Sequence, residues 1–233
     1  MMDEQGFAFI FDMDGVLTDN MSMHAESWVE VFRDRGLEGL DARRYMVEAA
    51  GMHGHDVLRH FLDPDITAGE AHQLSEMKDF LYRVMSRELI RPMAGLLEFL
   101  DAARSLGIKL AVGTGAVQRN IDFVLGILGL EDAFGAIVCA DDVPRGKPAP
   151  DIFLRASELV GVPPSSCIVF EDAIPGLEAA RSAGMPAVGV TTTNSAGELS
   201  VFENVVRVID DFRNMDPDAL RKLALGRHLS NPA

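Results

Sequence analysis

The stretch FAFIFDMDGVLTDN (residues 7–20) governs the reading of the whole chain. It begins as an apolar run with the look of a buried strand and breaks off into two carboxylates, Asp12 and Asp14, followed at once by Gly15. Side chains alternate along a strand, so the spacing predicts Asp12 and Asp14 on the same side of the strand's end. Two like charges held that close repel each other unless a cation or a shared proton relieves them. Asp and Gly also end strands and form turns for purely structural reasons. The meaning of the pair therefore depends on what the rest of the chain brings to it.

Further apolar runs follow at Ile108 to Val112, Ala136 to Cys139, Cys167 to Phe170 and Ala187 to Val190, with a weaker one at Val205 to Ile209. Between them lie helical patterns, Leu96, Leu97, Leu100 and Ala103 in one and Ile121, Val124, Leu125 and Leu128 in the next, each spaced for one helix face. Strands alternating with helices pair in parallel through right-handed crossovers, which predicts an α/β fold with a doubly wound parallel sheet. One gap breaks the rhythm: Met21 to Arg91 carries no strand pattern but several helical stretches. A lone crossover helix needs far less chain. The sequence thus predicts an inserted α-helical cap over residues 20–91, within a core formed by residues 1–19 and 92–233, with RPMAG (residues 91–95) as a hinge.

Composition narrows the function. A chain of 233 residues that is 48% hydrophobic can bury a sizeable core, and its formal charge of −15 disfavours nucleic acid and anionic membranes, which need basic patches. There is no apolar run of about 18 residues, and the opening MMDEQG is acidic where a signal peptide is basic. A cytoplasmic protein is expected. Cys139 and Cys167 sit inside apolar runs and read as buried thiols, not as a metal site or redox pair. With no broad apolar stripe left unassigned, a monomer is expected.

In an open parallel sheet, ligands bind beyond the carboxyl ends of the strands. Asp12 and Asp14 follow the first apolar run, GTGA (residues 113–116) with Thr114 and Gly115 follows the second, RGKPAPDIF (145–153) with Lys147 lies beyond the third, and Glu171 and Asp172 follow the fourth. The acids offer hard oxygen ligands suited to Mg²⁺. Thr114, the neighbouring backbone N–H groups and the Lys147 ammonium form a cradle for phosphate oxygens. A carboxylate can then attack a phosphoryl group whose developing charge is stabilised electrostatically.

FDMDGVLTD, Thr114, GKPAPDIF and FEDAIPG resemble the four ordered motifs of the haloacid dehalogenase-like phosphohydrolases, and the chain resembles their β-phosphoglucomutase-like branch, which has a helical cap after the first strand. The resemblance covers nearly the whole chain. It implies Asp12 as a nucleophile forming an aspartyl-phosphate, and Asp14 as general acid/base whose main-chain carbonyl also binds Mg²⁺. It further implies that Thr114, Gly115 and Lys147 hold the phosphoryl group while Glu171 and Asp172 complete the metal site.

In the cap, the resemblance implies that His24 helps position the acid/base aspartate and that Lys78, in SEMKDFLYR, reaches substrate. Within AAGMHGHDVLRHF (49–61), the resemblance implies that the loop at Gly51 to His55 faces the active site and selects the leaving group, with His53 and His55 as its candidate residues. An alternating His pair alone makes a poor zinc site. The mutases carry a lysine just before this loop's glycine and an arginine within it, where this chain, aligned on Gly51, has Ala50 and Gly54; Asn20 also departs from the usual Ser or Thr. The expected function is therefore a Mg²⁺-dependent phosphatase acting on a small phosphorylated metabolite such as a sugar phosphate. A phosphosugar mutase of the β-phosphoglucomutase type is the alternative. A receiver-like signalling module, which shares the acids, hydroxyl and lysine, fits the insertion and the length less well.

Overall fold

The computed structural model describes residues 6–49, 52 and 54–230. They form two compact units, one running to Asp19 and resuming at Arg91, the other Asn20–Ile90.

The second unit is helical: α1 (Met21–Asp34), α2 (Ala42–Glu48), α3 (Gly54–Phe61) and α4 (Ala68–Ser86). Ala25, Trp28, Val29 and Phe32 recur at helical spacing on α1 and are buried, the last three in a cluster that includes Val57, Leu58 and Leu74. Thr67 and Glu70 start α4 with a reciprocal capping box. The expectation that no apolar stripe is left over is corrected here. Met77, Phe80 and Val84, three and four residues apart on α4, are all exposed. The sequence pattern concealed this because α4 also carries a buried face of Ala71, Leu74 and Tyr82.

The first unit holds six parallel strands, β1 (Ala8–Phe11), β2 (Lys109–Gly113), β3 (Ala136–Val138), β4 (Cys167–Glu171), β5 (Ala187–Val190) and β6 (Val205–Ile209). Around them lie α5 (Leu96–Ser105), α6 (Gln118–Leu128), α7 (Asp151–Val160), α8 (Ile174–Ser182), α9 (Ala196–Leu199) and α10 (Pro217–Ser230). The strand order β3-β2-β1-β4-β5-β6 makes this the doubly wound α/β sheet that the alternating pattern predicts. β1 and β4 are buried along their whole length, which is why they read as unbroken apolar runs. On α5 the buried face is Leu96, Phe99, Leu100 and Ala103, whereas Leu97 is exposed.

One aromatic cluster stiffens the sheet's centre. Phe9 stacks on Phe99 with ring centroids 5.4 Å apart, Phe11 stacks on Phe170 at 4.6 Å, and Phe212 tilts against Phe99 at 5.2 Å. Chain order departs in two directions from β1, with β2 on one side and β4 on the other. Such a switch point opens a crevice at the strands' carboxyl ends. Among the described residues, no helix is long and apolar enough to cross a membrane.

Candidate active site

The register of β1 on β4 sets Phe11 beside Phe170, so the residues that follow, Asp12 and Glu171, emerge side by side at the switch point. The Asp12 backbone N–H continues the ladder by donating to the Phe170 carbonyl at 2.9 Å. Asp12, Glu171 and Asp172 are all buried, and each offers a carboxylate oxygen within 4.8 Å of the others.

Lys147, in the turn between β3 and α7, bridges two of these acids. Its Nζ donates to Asp12 Oδ1 at 2.8 Å and to Glu171 Oε1 at 2.7 Å, and lies 4.8 Å from the Phe153 ring centroid. Glu171 Oε2 accepts from the backbone N–H groups of Asp172 at 2.7 Å and Ala173 at 3.0 Å. Both Glu171 oxygens are thus engaged by the protein. Two of the three clustered carboxylates share one ammonium. Burial pushes the Asp12 carboxyl up to about 7 against the pull of Lys147, and Glu171 and Asp14 add to the rise. Asp172 is raised well above the carboxylate range by burial first, then by Glu171 and Asp12. Burial pulls the Lys147 ammonium down, but Asp12 and Glu171 outweigh it and hold it above its ordinary value.

Two glycines make room for these carboxylates. A Cβ on Gly15, whose φ is +79°, would lie 2.0 Å from Asp172 Oδ2, and one on Gly176 would lie 1.7 Å from Glu171 Oε1. Each acid packs directly onto bare backbone.

The strand on which the Asp12 and Asp14 alternation rests stops short of Asp14. β1 ends at Phe11, and the chain turns at Met13, where the Leu17 N–H donates to the Met13 carbonyl at 2.9 Å. Side-chain alternation therefore does not carry through to Asp14, and the oxygens that gather within 4.8 Å belong to Asp12, Glu171 and Asp172. Asp14 remains close enough for its charge to raise Asp12. Thr114 is buried just past β2; its N–H donates to the Val138 carbonyl at 3.0 Å, and its Oγ1 accepts from the Ala116 N–H at 3.2 Å. Gly115 follows it with open space where a side chain would be.

Within the helical unit, Lys78 Nζ lies 2.9 Å from His24 Nδ1 and 3.1 Å from Asp79 Oδ1, and 5.8 Å from the Trp28 and Tyr82 ring centroids. His24 stacks on Tyr82 at 3.8 Å, and Asn20 donates to the Tyr82 hydroxyl at 2.6 Å. Asn20 thus has its own partner in place of the usual hydroxyl. His55 begins α3 half-buried. His53, with Ala50 and Gly51, lies outside the described residues.

Sequence reasoning missed Thr192 and Thr193. They sit in the turn after β5 and reach the Gly15 carbonyl and the Asp172 carboxylate. Their signal was the run TTTN (191–194) at a fifth strand end, the same kind of position that exposed the other candidates. A cavity of about 420 Å³ beside the ends of α5 and α6, lined by Arg104, Leu128 and Asp132 among others, contains none of the candidate residues.

Over residues 8–184 the chain matches the haloacid dehalogenase-like hydrolase family. It belongs to that family. A fructose-1-phosphate phosphatase of Escherichia coli (strain K12), YqaB, is 36% identical over 81% of this chain and 98% of its own length. Among solved structures, a HAD hydrolase of family IA, variant 3, from Entamoeba histolytica superposes with a TM-score of 0.87 at 29% identity, covering 94% of this chain and 99% of that one. A β-phosphoglucomutase from Clostridium difficile gives 0.80 at 26% identity, covering 96% and 99%. The chain is a haloacid dehalogenase-like phosphohydrolase whose structural relatives include the β-phosphoglucomutase-like proteins.

Proposed function

We propose that the protein is a Mg²⁺-dependent phosphatase that hydrolyses a small phosphorylated metabolite, a sugar monophosphate, through an aspartyl-phosphate on Asp12. The observation that carries this reading is the Lys147 bridge between Asp12 and Glu171, with Asp172 alongside and Thr114 at the neighbouring strand end. The donor set fits a small hard dication: the ligand atoms are all oxygen, they lie within 4.8 Å of one another, and burial holds Asp12 and Asp172 in a state that a second cation would relieve. Asp12, Asp172 and the Asp14 main-chain carbonyl are the ligands we assign, with Glu171 completing the site while holding Lys147. Mg²⁺, when bound, neutralises and orients the phosphoryl oxygens.

The residues divide the remaining work. Lys147, Thr114 and the Gly115 backbone hold the phosphoryl group, the lysine as a point charge and the others as hydrogen-bond donors. The Asp12 carboxylate attacks phosphorus as the bond to the bridging oxygen of the substrate breaks, and Asp14 in its acid form gives that oxygen a proton. Asp14, now a carboxylate, takes a proton from the water that attacks the acyl-phosphate. Inorganic phosphate leaves, and Asp12 is a carboxylate again. Selection of the leaving group we assign to the helical unit, with the half-buried His24 and Lys78 pair as its polar group, together with His53 and His55.

The name of the Escherichia coli relative supports a hexose phosphate as substrate. The departures at Ala50 and Gly54 favour hydrolysis over mutase chemistry, because a mutase must hold both ends of a bisphosphate with cations. The test is phosphate release across a panel that includes fructose 1-phosphate and β-glucose 1-phosphate, the latter with a trace of glucose 1,6-bisphosphate. Free phosphate as the main product supports the proposal. Predominant glucose 6-phosphate would replace it with the mutase.

A further inference from the structure

The three threonines after β5 each send a hydroxyl to a different part of the sheet's carboxyl edge. Thr191 Oγ1 donates to Asp210 Oδ1 at 2.6 Å, beyond β6. Thr192 Oγ1 lies 2.6 Å from the Gly15 carbonyl and 3.2 Å from Asp172 Oδ2, while Thr193 Oγ1 contacts Asp172 Oδ2 directly. A hydroxyl carries one proton. Thr192 therefore gives its proton to the nearer acceptor, the Gly15 carbonyl, and Thr193 is the donor to Asp172.

We infer that Thr193 is a positioning residue that fixes the Asp172 carboxylate so that Oδ1 alone is presented to a divalent cation, with Thr192 holding the Gly15 turn against which that carboxylate rests. The inference depends on the metal reading above and specifies how one ligand is oriented. Oδ2 is occupied on two sides: it accepts from Thr193, and it faces the bare Gly15 backbone, 2.0 Å from where a Cβ would stand, against 3.1 Å for Oδ1. Among the described residues, the two hydroxyls that reach Asp172 both meet Oδ2. A carboxylate held by one oxygen ligates through the other, and the rotation that would otherwise be lost on binding the ion is already restricted. Orientation from outside the ligand set is what a partner of this kind would contribute, because the threonine is not among the ligands assigned above.

The experiment is calorimetric titration of the whole protein with Mg²⁺, comparing wild type, Thr193→Val, Thr193→Ser and Thr192→Val. Valine keeps the shape of threonine and deletes the donor; serine keeps the donor. Thr193→Val is expected to weaken Mg²⁺ binding by about 10- to 100-fold, Thr193→Ser to bind like wild type, and Thr192→Val to fall between them. Melting of the Mg²⁺-free proteins is read alongside, because a threonine of merely structural importance would lower the melting temperature and leave the affinity unchanged. Should Thr193→Val fail to fold, Thr193→Ala against Thr193→Ser supplies the same contrast. Equal Mg²⁺ affinity in wild type and the donor-deleted variant would overturn the inference while leaving the metal reading intact. Wild type that binds no Mg²⁺ would overturn both.

Discussion

Gly15 and Asp172 compete for one volume: Asp172 Oδ2 lies 2.0 Å from the point a Cβ on Gly15 would occupy. The glycine of the opening motif is thus dictated by an acid more than 150 positions later in the chain as well as by its own φ of +79°. Gly15→Ala is expected to add about 1–2 kcal/mol of left-handed backbone strain and to push the Asp172 carboxylate out of the cluster. Phosphate release should fall at least tenfold while circular dichroism stays that of a folded protein. A variant with near wild-type turnover would show that Asp172 tolerates displacement.

Asp12→Asn should abolish turnover and preserve the fold, because an amide has the same shape but is a poor nucleophile and a weaker ligand. Asp14→Asn should also inactivate, yet keep some Mg²⁺ binding through its unchanged backbone carbonyl. Single-turnover phosphate release and a Mg²⁺ titration separate the two variants.

Lys147→Met removes the one ammonium shared by Asp12 and Glu171. Two buried carboxylates then face each other without it. Stability without Mg²⁺ should drop by about 3–5 kcal/mol, the usual result of breaking a buried ion pair from one side. Added Mg²⁺ should recover part of that loss, which urea melts with and without the ion would reveal. Turnover should not return, since the phosphoryl group has lost its point charge.

The raised Asp12 carboxyl gives Mg²⁺-free stability a definite slope. Folding lifts this group from its ordinary 3.8 to about 7, so between those values the folded protein holds a proton that the unfolded chain has released. Its contribution is full below the ordinary value and is lost as pH rises through about 7. Asp172, also raised, acts in the same direction. Asp12→Asn should flatten this part of the stability profile. The slope should reverse or vanish in saturating Mg²⁺, which binds the ionised form. Urea melts across this range, with and without Mg²⁺, test both statements.

Chelation should stop phosphate release completely, because an acidic cluster in a protein of formal charge −15 repels an anionic substrate before any chemistry begins. Ca²⁺ should inhibit, its larger and more irregular shell misplacing the nucleophile. Full activity in excess chelator would remove the metal from the mechanism.

The sheet was legible because buried parallel strands write themselves as short apolar runs, and the acids were legible because they interrupt those runs at one end. Local spacing carried less well into turns. The alternation that relates Asp12 to a strand has no force at Asp14, where a turn has begun. Leu97 and Phe99 exchanged roles because residues two apart on a helix point to opposite sides, and it is the ring of Phe99 that joins the cluster of Phe9 and Phe170. Thr192 and Thr193 were passed over because a hydroxyl in a polar turn looks like any other until the carboxylate it serves is located in space.

The Met93 N–H donates to the Leu17 carbonyl at 2.9 Å, so the chain leaves the sheet-bearing unit and returns to it at a single point. For β1 and β2, the intervening residues 20–90 amount to a loop already closed at its base. Closure entropy grows only slowly with loop length, so the insertion can be lengthened, shortened or replaced with little consequence for strand pairing. Under the proposed function, a lineage that keeps Asp12, Thr114, Lys147 and Asp172 could acquire a new substrate by rewriting this one contiguous segment.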